Sequence, residues 1–327
     1  MKLGSLKRGG PDGTLIVVSR DLSKAVTPLQ AKVSTLQRAL EQWSAVAPVL
    51  ENVYQDLNAG KGNLFDLDVE ALAAPLPRSY QWLDGSAYLT HVERVRKARG
   101  APMPPKHETE PLMYQGNSSA FLAPRDPIRG DIEWGIDFEA EVAVITDEVP
   151  MGVTPAEAKT HLKLLMLVND ISYRNLIPPE LAKGFGFLHG KPGCAFSPVA
   201  VTPEELGEHW DGHRLHLPLV TRCNGTVFGQ PNAGHDMHFD FPSLVSHAAR
   251  TRRLPAGTII GSGTVSNADA TRGSSCIVEQ RMQEILGTGR ADTSYLQDGD
   301  RVRIEMQDPR GQSIFGAIDH VVQHWPR

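Results

Sequence analysis

The stretch DFEAEVAVI, residues 137–145, alternates in a way that predicts a β-strand over residues 137–146. Glu139 and Glu141 fall on one face, followed by apolar Ala143 and Ile145, and the opposite face is wholly apolar. Residues two apart in a strand point the same way, so these two carboxylates would lie roughly 7 Å apart. Their repulsion would be relieved by a divalent cation between them. The alternative is the solvated outer face of an edge strand.

Two further carboxylates extend this interpretation outward along the chain. Asp170 follows the apolar run 164–168, and a buried carboxylate at such a strand end needs a partner, unless 169–170 is simply a turn. Asp84, in the stretch 82–86, could also be a turn residue. Four carboxylates without cysteines or paired histidines suit a hard cation, so the pattern favours Mg²⁺, Mn²⁺ or Ca²⁺ over Zn²⁺.

The histidines of residues 209–216 do not change that preference. His209, His213 and His216 are separated by the turn-forming pair Asp211-Gly212, so helical ligand spacing is not expected there. We interpret these histidines as loop residues.

The rest of the chain reads as short strands and Gly/Pro turns, with further strands predicted at 301–307 and at the end of 162–172. Near the N-terminus, a turn at 10–13 leads into a strand at 14–19. Apolar residues at steps of three and four over 29–43 then predict a helix that Thr27 would cap, that Pro48 would break or restart, and that residues 60–62 would end. The prediction is an α+β fold, mostly β with peripheral helices, in two domains covering residues 1–75 and 78–327.

Composition excludes several classes of protein. The chain has 327 residues, of which 40% are hydrophobic, and a formal net charge of −5, so a broad basic surface for nucleic acid is not expected. No apolar run approaches the roughly 20 residues that span a bilayer, and no signal-peptide core is evident. Three cysteines are too few for a disulfide framework. We expect a soluble, cytoplasmic protein that binds neither nucleic acid nor membranes.

Four motifs together resemble the fumarylacetoacetate hydrolase family, whose members act on acylpyruvate-like and related keto acids. They are DFEAEVAVI (137–145), LVNDIS (167–172), GSGTVSN (261–267) and SSCIVEQ (274–280). The resemblance covers about residues 78–327, and the N-terminal segment is similar to the small extra domain of some bacterial members. It implies a mixed β-sandwich roll with a small N-terminal α/β domain, and the homodimer we expect rests on it alone.

The resemblance also implies roles for individual residues. The metal ligands that it implies are Asp84, Glu139, Glu141 and Asp170. The catalytic groups that it implies are His91, its orienting partner Glu279, and Lys191. The substrate-binding groups that it implies are Tyr114, Arg174 and Thr264.

Two positions depart from the family pattern. Ile177 stands where the best-known hydrolase has a substrate-binding glutamine, which puts the same substrate in doubt. A second family arginine has no clean match, and Arg94, Arg96 and Arg99 are candidates.

The activity that the resemblance implies is metal-dependent hydrolysis of a carbon–carbon bond in a β-diketo acid, either fumarylacetoacetate or an acylpyruvate such as fumarylpyruvate. A water activated by His91 and Glu279 would attack, and a divalent cation, Mg²⁺ by expectation, would stabilise the enolate. Such enzymes serve in aromatic catabolism. Other reactions stay open: oxaloacetate decarboxylation, 2-keto-4-pentenoate hydration or isomerisation, or a catalytically silent relative that only binds metal.

Overall fold

Eighteen β-strands form three sheets in a computed structural model that describes residues 1–98, 100 and 102–325. The strands are β1 (Lys2–Leu6), β2 (Thr14–Val18), β3 (Lys24–Val26), β4 (Phe65–Asp66), β5 (Trp82–Gly85), β6 (Met113–Gln115), β7 (Ile128–Gly130), β8 (Ile136–Asp137), β9 (Ala140–Thr146), β10 (Leu162–Asn169), β11 (Ser172–Tyr173), β12 (Ala195–Phe196), β13 (Ala200–Val201), β14 (Val220–Cys223), β15 (Thr226–Gly229), β16 (Ile259–Gly261), β17 (Arg301–Glu305) and β18 (Ile318–His324).

Helices lie around these sheets. Among the described residues the α-helices are α1 (Leu36–Glu41), α2 (Trp43–Asn58), α3 (Leu89–Ala98), α4 (Pro155–Ala158), α5 (Ile177–Leu181), α6 (Phe241–Ala248) and α7 (Ile277–Thr288). The predicted α+β fold, mostly β with peripheral helices, is therefore confirmed.

The largest sheet has eleven strands and separates two hydrophobic cores. Its order is β4-β3-β2-β1-β13-β10-β9-β16-β5-β6, and β12 pairs with the end of β10. Strands β9 and β10 lie near its middle and are apolar on both faces. Val142 and Leu165 pack into one core, whereas Ile145 and Leu164 pack into the other. This two-sided burial fixes the register of the strands that carry the acidic residues.

The strand predicted over residues 137–146 is confirmed from residue 140 onward as β9, but the chain departs from it at Phe138 and Glu139, and Asp137 belongs to the separate strand β8. Strand β8 pairs with β11 in a separate two-stranded sheet, whereas β9 joins the large sheet. Between them, Glu139 forms an isolated bridge to Cys276. The two glutamates of the motif therefore leave the backbone from different local structures.

At the N-terminus, the predicted turn and the strand predicted at 14–19 are confirmed: this strand is β2, and it pairs antiparallel with β1 across the turn. The helix predicted from Thr27 is wrong in its first part and is confirmed in its end, because α2 stops at Asn58. Thr27 is not its cap, since the first turn has Pro28 in that position. A short 3-10 turn ends at Lys32, whose φ of 54° is left-handed, and a new helix starts after Thr35, whose side chain accepts a hydrogen bond from the Arg38 N–H. Pro48 does not break or restart the helix, because it lies inside α2.

Strand β1 also pairs with β13, so the N-terminal strands extend the same sheet as the later ones. A second sheet of five strands, β15-β14-β17-β18-β7, includes the predicted strand at 301–307 as β17. Val302, Ile304 and Phe315 from this region join the larger hydrophobic core. None of the helices in the described ranges combines the length and apolar character needed to cross a bilayer.

Candidate active site

Three carboxylates meet where the central strands of the large sheet end. Asp84 lies in β5, Glu141 is the second residue of β9, and Asp170 directly follows β10. One oxygen from each side chain lies within 4.8 Å of the others. All three side chains are buried. The predicted carboxylates at positions 84, 141 and 170 are thus brought together.

Two glycines of the GSGTVSN motif make this approach possible. Gly261 pairs with Asp84 on one side and Ala143 on the other, and a Cβ there would lie 2.3 Å from Asp84 Oδ1. Gly263 has a φ of +74°, which favours glycine, and its N–H donates to Asp84 Oδ1 at 3.0 Å. The motif therefore leaves space for the Asp84 carboxylate and also orients it.

The electrostatics of this carboxylate cluster fit a cation. Burial first, and then the neighbouring carboxylates, raise the pKa of Asp84 and Glu141 well above their ordinary values; burial also raises the pKa of Asp170. Within the described part of the chain, neither carboxylate oxygen of Glu141 has a hydrogen-bond partner. Buried acceptors without a donor are costly. An all-oxygen set of this kind suits Mg²⁺, Mn²⁺ or Ca²⁺, so the residues fit the divalent cation expected from the sequence.

Glu139 has a different environment. Its Oε1 accepts a hydrogen bond from Arg174 Nη2 at 2.6 Å, and its Oε2 accepts one from Lys191 Nζ at 2.6 Å. Burial would raise the pKa of Glu139, but these two cations outweigh it and lower the pKa below its ordinary value. Lys191 also donates to Asp170 Oδ2 at 2.6 Å, so it links Glu139 to the carboxylate cluster. The role of Glu139 as a fourth ligand stays a prediction.

Tyr114 and Lys191 both hold Asp170. The Tyr114 hydroxyl lies 2.8 and 2.7 Å from the two Asp170 oxygens, and Lys191 Nζ lies 5.4 Å from the centre of the Tyr114 ring. Burial opposes the charge on Lys191, but the carboxylates of Asp170 and Glu139 outweigh burial and raise the pKa of Lys191. Lys191 is therefore an ammonium group at neutral pH, suited to donating rather than accepting a proton.

His91 and Glu279 come from two helices that pack together. His91 on α3 places Nδ1 2.6 Å from Glu279 Oε2 on α7. The other oxygen, Glu279 Oε1, accepts hydrogen bonds from Arg94 at 2.7 Å and Ser266 at 2.8 Å. Burial would raise the pKa of Glu279, but the contacts with His91, Ser266 and Arg94 lower it. The predicted pairing of residues 91 and 279 is thus present in the geometry.

Asp137 is a positioning residue of the site that sequence reasoning missed. Its two oxygens accept the N–H groups of Ile277 and Val278, the first residues of α7, at 2.7 and 2.9 Å. It also pairs with Arg174 Nε at 2.7 Å. Asp137 therefore anchors the helix that carries Glu279. The sequence does contain a signal for Asp137, because residues 137, 139 and 141 form an acidic series at steps of two.

A cavity of about 200 Å³ opens between these groups. The predicted site residues that line it are Asp84, His91, Tyr114, Glu139, Arg174, Lys191 and Thr264. The other three predicted residues adjoin that lining: Glu279 contacts His91, Asp170 contacts Tyr114 and Lys191, and Glu141 lies beside Asp84.

Comparison with protein-family models shows which family the chain belongs to. Residues 81–323 match the family described as fumarylacetoacetate (FAA) hydrolase C-terminal. The chain belongs to the fumarylacetoacetate hydrolase family. Residues 1–78 match the model described as fumarylacetoacetase N-terminal domain 2.

Individual relatives of this family member carry different activities in their names. The chain is 24% identical over 254 residues to oxaloacetate tautomerase YisK of Bacillus subtilis (strain 168), covering 76% of this chain and 73% of the relative. Its fold matches a probable 2-hydroxyhepta-2,4-diene-1,7-dioate isomerase from Mycobacterium abscessus with a TM-score of 0.68 and 19% identity, over 100% of both chains. The fold also matches maleylpyruvate hydrolase from Sphingobium sp. SYK-6, in complex with manganese(II) and pyruvate, with a TM-score of 0.66 and 16% identity, over 100% of both chains.

The three candidates for a second family arginine have separate outcomes. Arg94 holds Glu279 and is not part of the cavity lining. Arg96 donates to the Pro102 carbonyl at 2.8 Å and is also outside that lining. Arg99 lies outside the described residues. The histidines at 209, 213 and 216 are likewise absent from this lining. Residues 213 and 216 lie outside helices and strands, as predicted, but His209 ends a 3-10 helix, Pro203–His209.

Proposed function

We propose that this chain is a metal-dependent hydrolase that cleaves a carbon–carbon bond in a β-diketo acid of the fumarylacetoacetate or acylpyruvate type. One observation carries the proposal: His91, held by Glu279, lines the same small cavity as Asp84 of the carboxylate cluster. Such a hydrolysis needs a base for the attacking water and positive charge near the substrate oxygens. This cavity offers the base and a set of ligands for the charge.

His91 is suited to act as the base. The Glu279 carboxylate accepts from Nδ1, so the neutral imidazole carries its proton there and leaves Nε2 as the acceptor. When Nε2 takes a proton from water, the imidazolium becomes positive and the ionised Glu279 stabilises it. The lowered pKa of Glu279 means that this carboxylate is charged at neutral pH.

Lys191 and Thr264 are suited to the other side of the reaction. Cleavage leaves negative charge on the departing carbon, and the Lys191 ammonium lines the cavity as a donor for that charge or for its proton. Thr264 is buried yet lines the cavity, and its hydroxyl can donate to a substrate carboxylate.

The carboxylate cluster of Asp84, Glu141 and Asp170 would hold the cation, for which we propose Mg²⁺, with Mn²⁺ or Ca²⁺ as alternatives. When bound, the cation would supply Lewis-acid stabilisation of negative charge on substrate oxygens. The manganese reported in the maleylpyruvate hydrolase structure supports a divalent ion.

Keto–enol tautomerisation of a keto acid is the second candidate, and the relationship to oxaloacetate tautomerase YisK favours it. Tautomerisation moves a proton between carbon and oxygen but requires no attack by water. The same base and cation ligands could serve both reactions, so the distinction rests on whether a carbon–carbon bond breaks.

An absorbance assay tests the proposal. At least one of acetylpyruvate and fumarylpyruvate should lose its diketone absorbance with Mg²⁺ or Mn²⁺ and keep it in excess chelator. His91→Ala should lower kcat by about 10²–10⁴-fold, the usual contribution of a general base, while the cation still binds. His324→Ala, outside the cavity lining, is the control. Unchanged turnover in chelator or in His91→Ala would contradict the proposal, and turnover of oxaloacetate enol alone would favour the tautomerase.

A further inference from the structure

One wall of the cavity is apolar and assembled from several elements. Val95 comes from α3, Ile177 and Leu181 from α5, Phe187 from the following loop, and Val278 from α7. Ile177 and Val278 are 7% and 2% exposed, whereas Leu181 is 49% exposed. This apolar wall therefore runs from the buried interior to the cavity mouth.

Packing behind the apolar wall holds it in place. Val95 packs against a small core that includes Val278 and Met282, which joins α3 to α7. The Phe187 ring meets the Tyr114 ring edge-on, with centres 5.2 Å apart.

Ile177 is seated in the same way. A Cβ at position 190 would lie 2.7 Å from the Ile177 side chain, so Gly190 provides the space that Ile177 needs. These side chains are positioned by the fold and are not incidental surface residues.

The cations beside the apolar wall are already neutralised by the protein. Arg174 pairs with Asp137 and Glu139, and Lys191 pairs with Glu139 and Asp170. Among the described lining residues, no lysine or arginine lacks a carboxylate partner. A second carboxylate on the substrate would therefore lie against apolar side chains without a counter-ion, which is strongly unfavourable.

We propose that the substrate is an acylpyruvate whose acyl substituent is apolar, a short alkyl or aryl group, rather than one that ends in a second carboxylate. This inference rests on the proposed hydrolase function. The keto-acid end would face Thr264 and the carboxylate cluster, and the acyl substituent would lie on the apolar wall. The cavity, about 200 Å³, is smaller than the roughly 300–1,000 Å³ of typical ligand sites, which favours a short substituent.

The reaction balances with water as the only co-reactant. The water oxygen adds to the acyl carbonyl carbon, and the bond from that carbon to C3 of the pyruvate part breaks. The electron pair of that bond goes to C3, which takes up a proton. The products are the apolar carboxylic acid and pyruvate.

Two compounds of matched shape test the substrate class. In 4-methylpentanoylpyruvate an isopropyl group replaces the distal carboxylate of succinylpyruvate. With Mn²⁺ present, kcat/KM should be at least about tenfold higher for the apolar compound, since a pocket readily discriminates by that factor. Leu181→Arg, at the half-exposed mouth, should reverse the preference. Leu188→Arg should not reverse the preference, because Leu188 is 75% exposed on the neighbouring loop and does not line this cavity.

The outcomes separate this inference from the proposed function. If the wild-type protein cleaves succinylpyruvate with the higher kcat/KM, the inference is overturned and the proposal of hydrolase activity stands. If neither compound is cleaved with metal, the hydrolase proposal fails. Thermal-shift titration with both compounds then still decides the inference: tighter binding of the apolar compound supports it, and equal or tighter binding of succinylpyruvate overturns it.

Discussion

At the residue scale, Glu279 accepts four hydrogen bonds on its two carboxylate oxygens. They come from His91, Arg94, Ser266 and Gln283. Arg94 Nη1 also reaches Ser266, and Nη2 donates to the Ala268 carbonyl at 3.1 Å. A carboxylate held this firmly leaves its partner imidazole little freedom, which is what a positioned base requires.

Arg94→Gln should therefore reduce kcat by about tenfold while KM changes little, because Arg94 orients Glu279 and lies outside the cavity lining. Steady-state kinetics measures both values. Arg96→Gln on the same helix is the matched control, because the Arg96 guanidinium donates to the Pro102 carbonyl and not to Glu279. A large rise in KM with unchanged kcat would instead make Arg94 a substrate-binding residue.

Glu141→Gln should abolish cation-dependent stabilisation. The pKa values of Asp84, Glu141 and Asp170 are raised, so a neutral amide relieves repulsion in the cation-free protein and its Tm should rise. In the wild type, a cation at 100 times its Kd should add about 2.7 kcal/mol of stability. Thermal unfolding with Mn²⁺ and with chelator measures both effects.

The control is Glu148→Gln, at an exposed pair with Arg253. Because protons compete with the cation for carboxylates of raised pKa, wild-type affinity for Mg²⁺ should increase as pH rises from 5.5 to 7.5. Equal cation stabilisation in wild type and Glu141→Gln would show that the ion binds elsewhere.

The pattern of residues 137–145 revealed Glu139 and Glu141 because acidic side chains two apart are conspicuous in an apolar strand. It could not reveal that the strand breaks at Phe138 and Glu139. That break depends on β8 pairing with β11, a partner 35 residues away along the chain. Local sequence therefore identified the residues but not their different electrostatic environments.

At the element scale, α7 depends on Asp137, a buried side chain from a distant strand. Asp137→Asn removes the charge that pairs with Arg174, and breaking a buried pair should lower the free energy of unfolding by about 3–5 kcal/mol. Urea unfolding measures the change. Asp269→Asn, at the exposed start of a 3-10 helix, should change the free energy by under about 0.5 kcal/mol. Equal effects at the two positions would contradict the anchoring role.

Helix boundaries near the N-terminus show what periodicity misses. Apolar residues from Leu29 to Trp43 keep helical spacing although the chain forms a 3-10 turn, a short helix and a longer helix. The interruption is set by the left-handed Lys32 and by the Thr35 cap. Apolar spacing reports which residues are buried, and here burial is continuous across a break in the backbone.

At the scale of the whole molecule, His320 is a buried neutral group in β18. Its ring contacts the Asp126 carbonyl through Nδ1, and Nε2 has no hydrogen-bond partner among the residues that the structure describes. Burial lowers the pKa of His320 from 6.5 to about 4. The unfolded chain therefore binds a proton more readily, and this residue should cost the fold about 3 kcal/mol as pH falls from 6.5 to 4.

His320→Asn should flatten this pH dependence of urea unfolding, because asparagine does not titrate and can still donate to the Asp126 carbonyl. His324→Asn, exposed on the same strand, provides the comparison. An unchanged slope in His320→Asn would mean that other groups dominate acid unfolding.

The overall architecture was predictable because short alternating strands, turns and four family motifs agree with one another. The way in which distant residues come together in the site was not predictable. His91 and Glu279 are 188 residues apart and meet only because α3 and α7 pack together. The Asp137–Arg174 anchor and the apolar wall likewise depend on tertiary packing, which no local pattern encodes.

The most direct test of the central claim is hydrolysis of acetylpyruvate in ¹⁸O-labelled water with Mn²⁺, followed by mass spectrometry of the products. The account predicts one ¹⁸O in the released acetate, fast with wild type and suppressed in His91→Ala and in chelator. Unlabelled or absent acetate, with deuterium exchange at C3 as the only reaction in a parallel D₂O experiment, would contradict it.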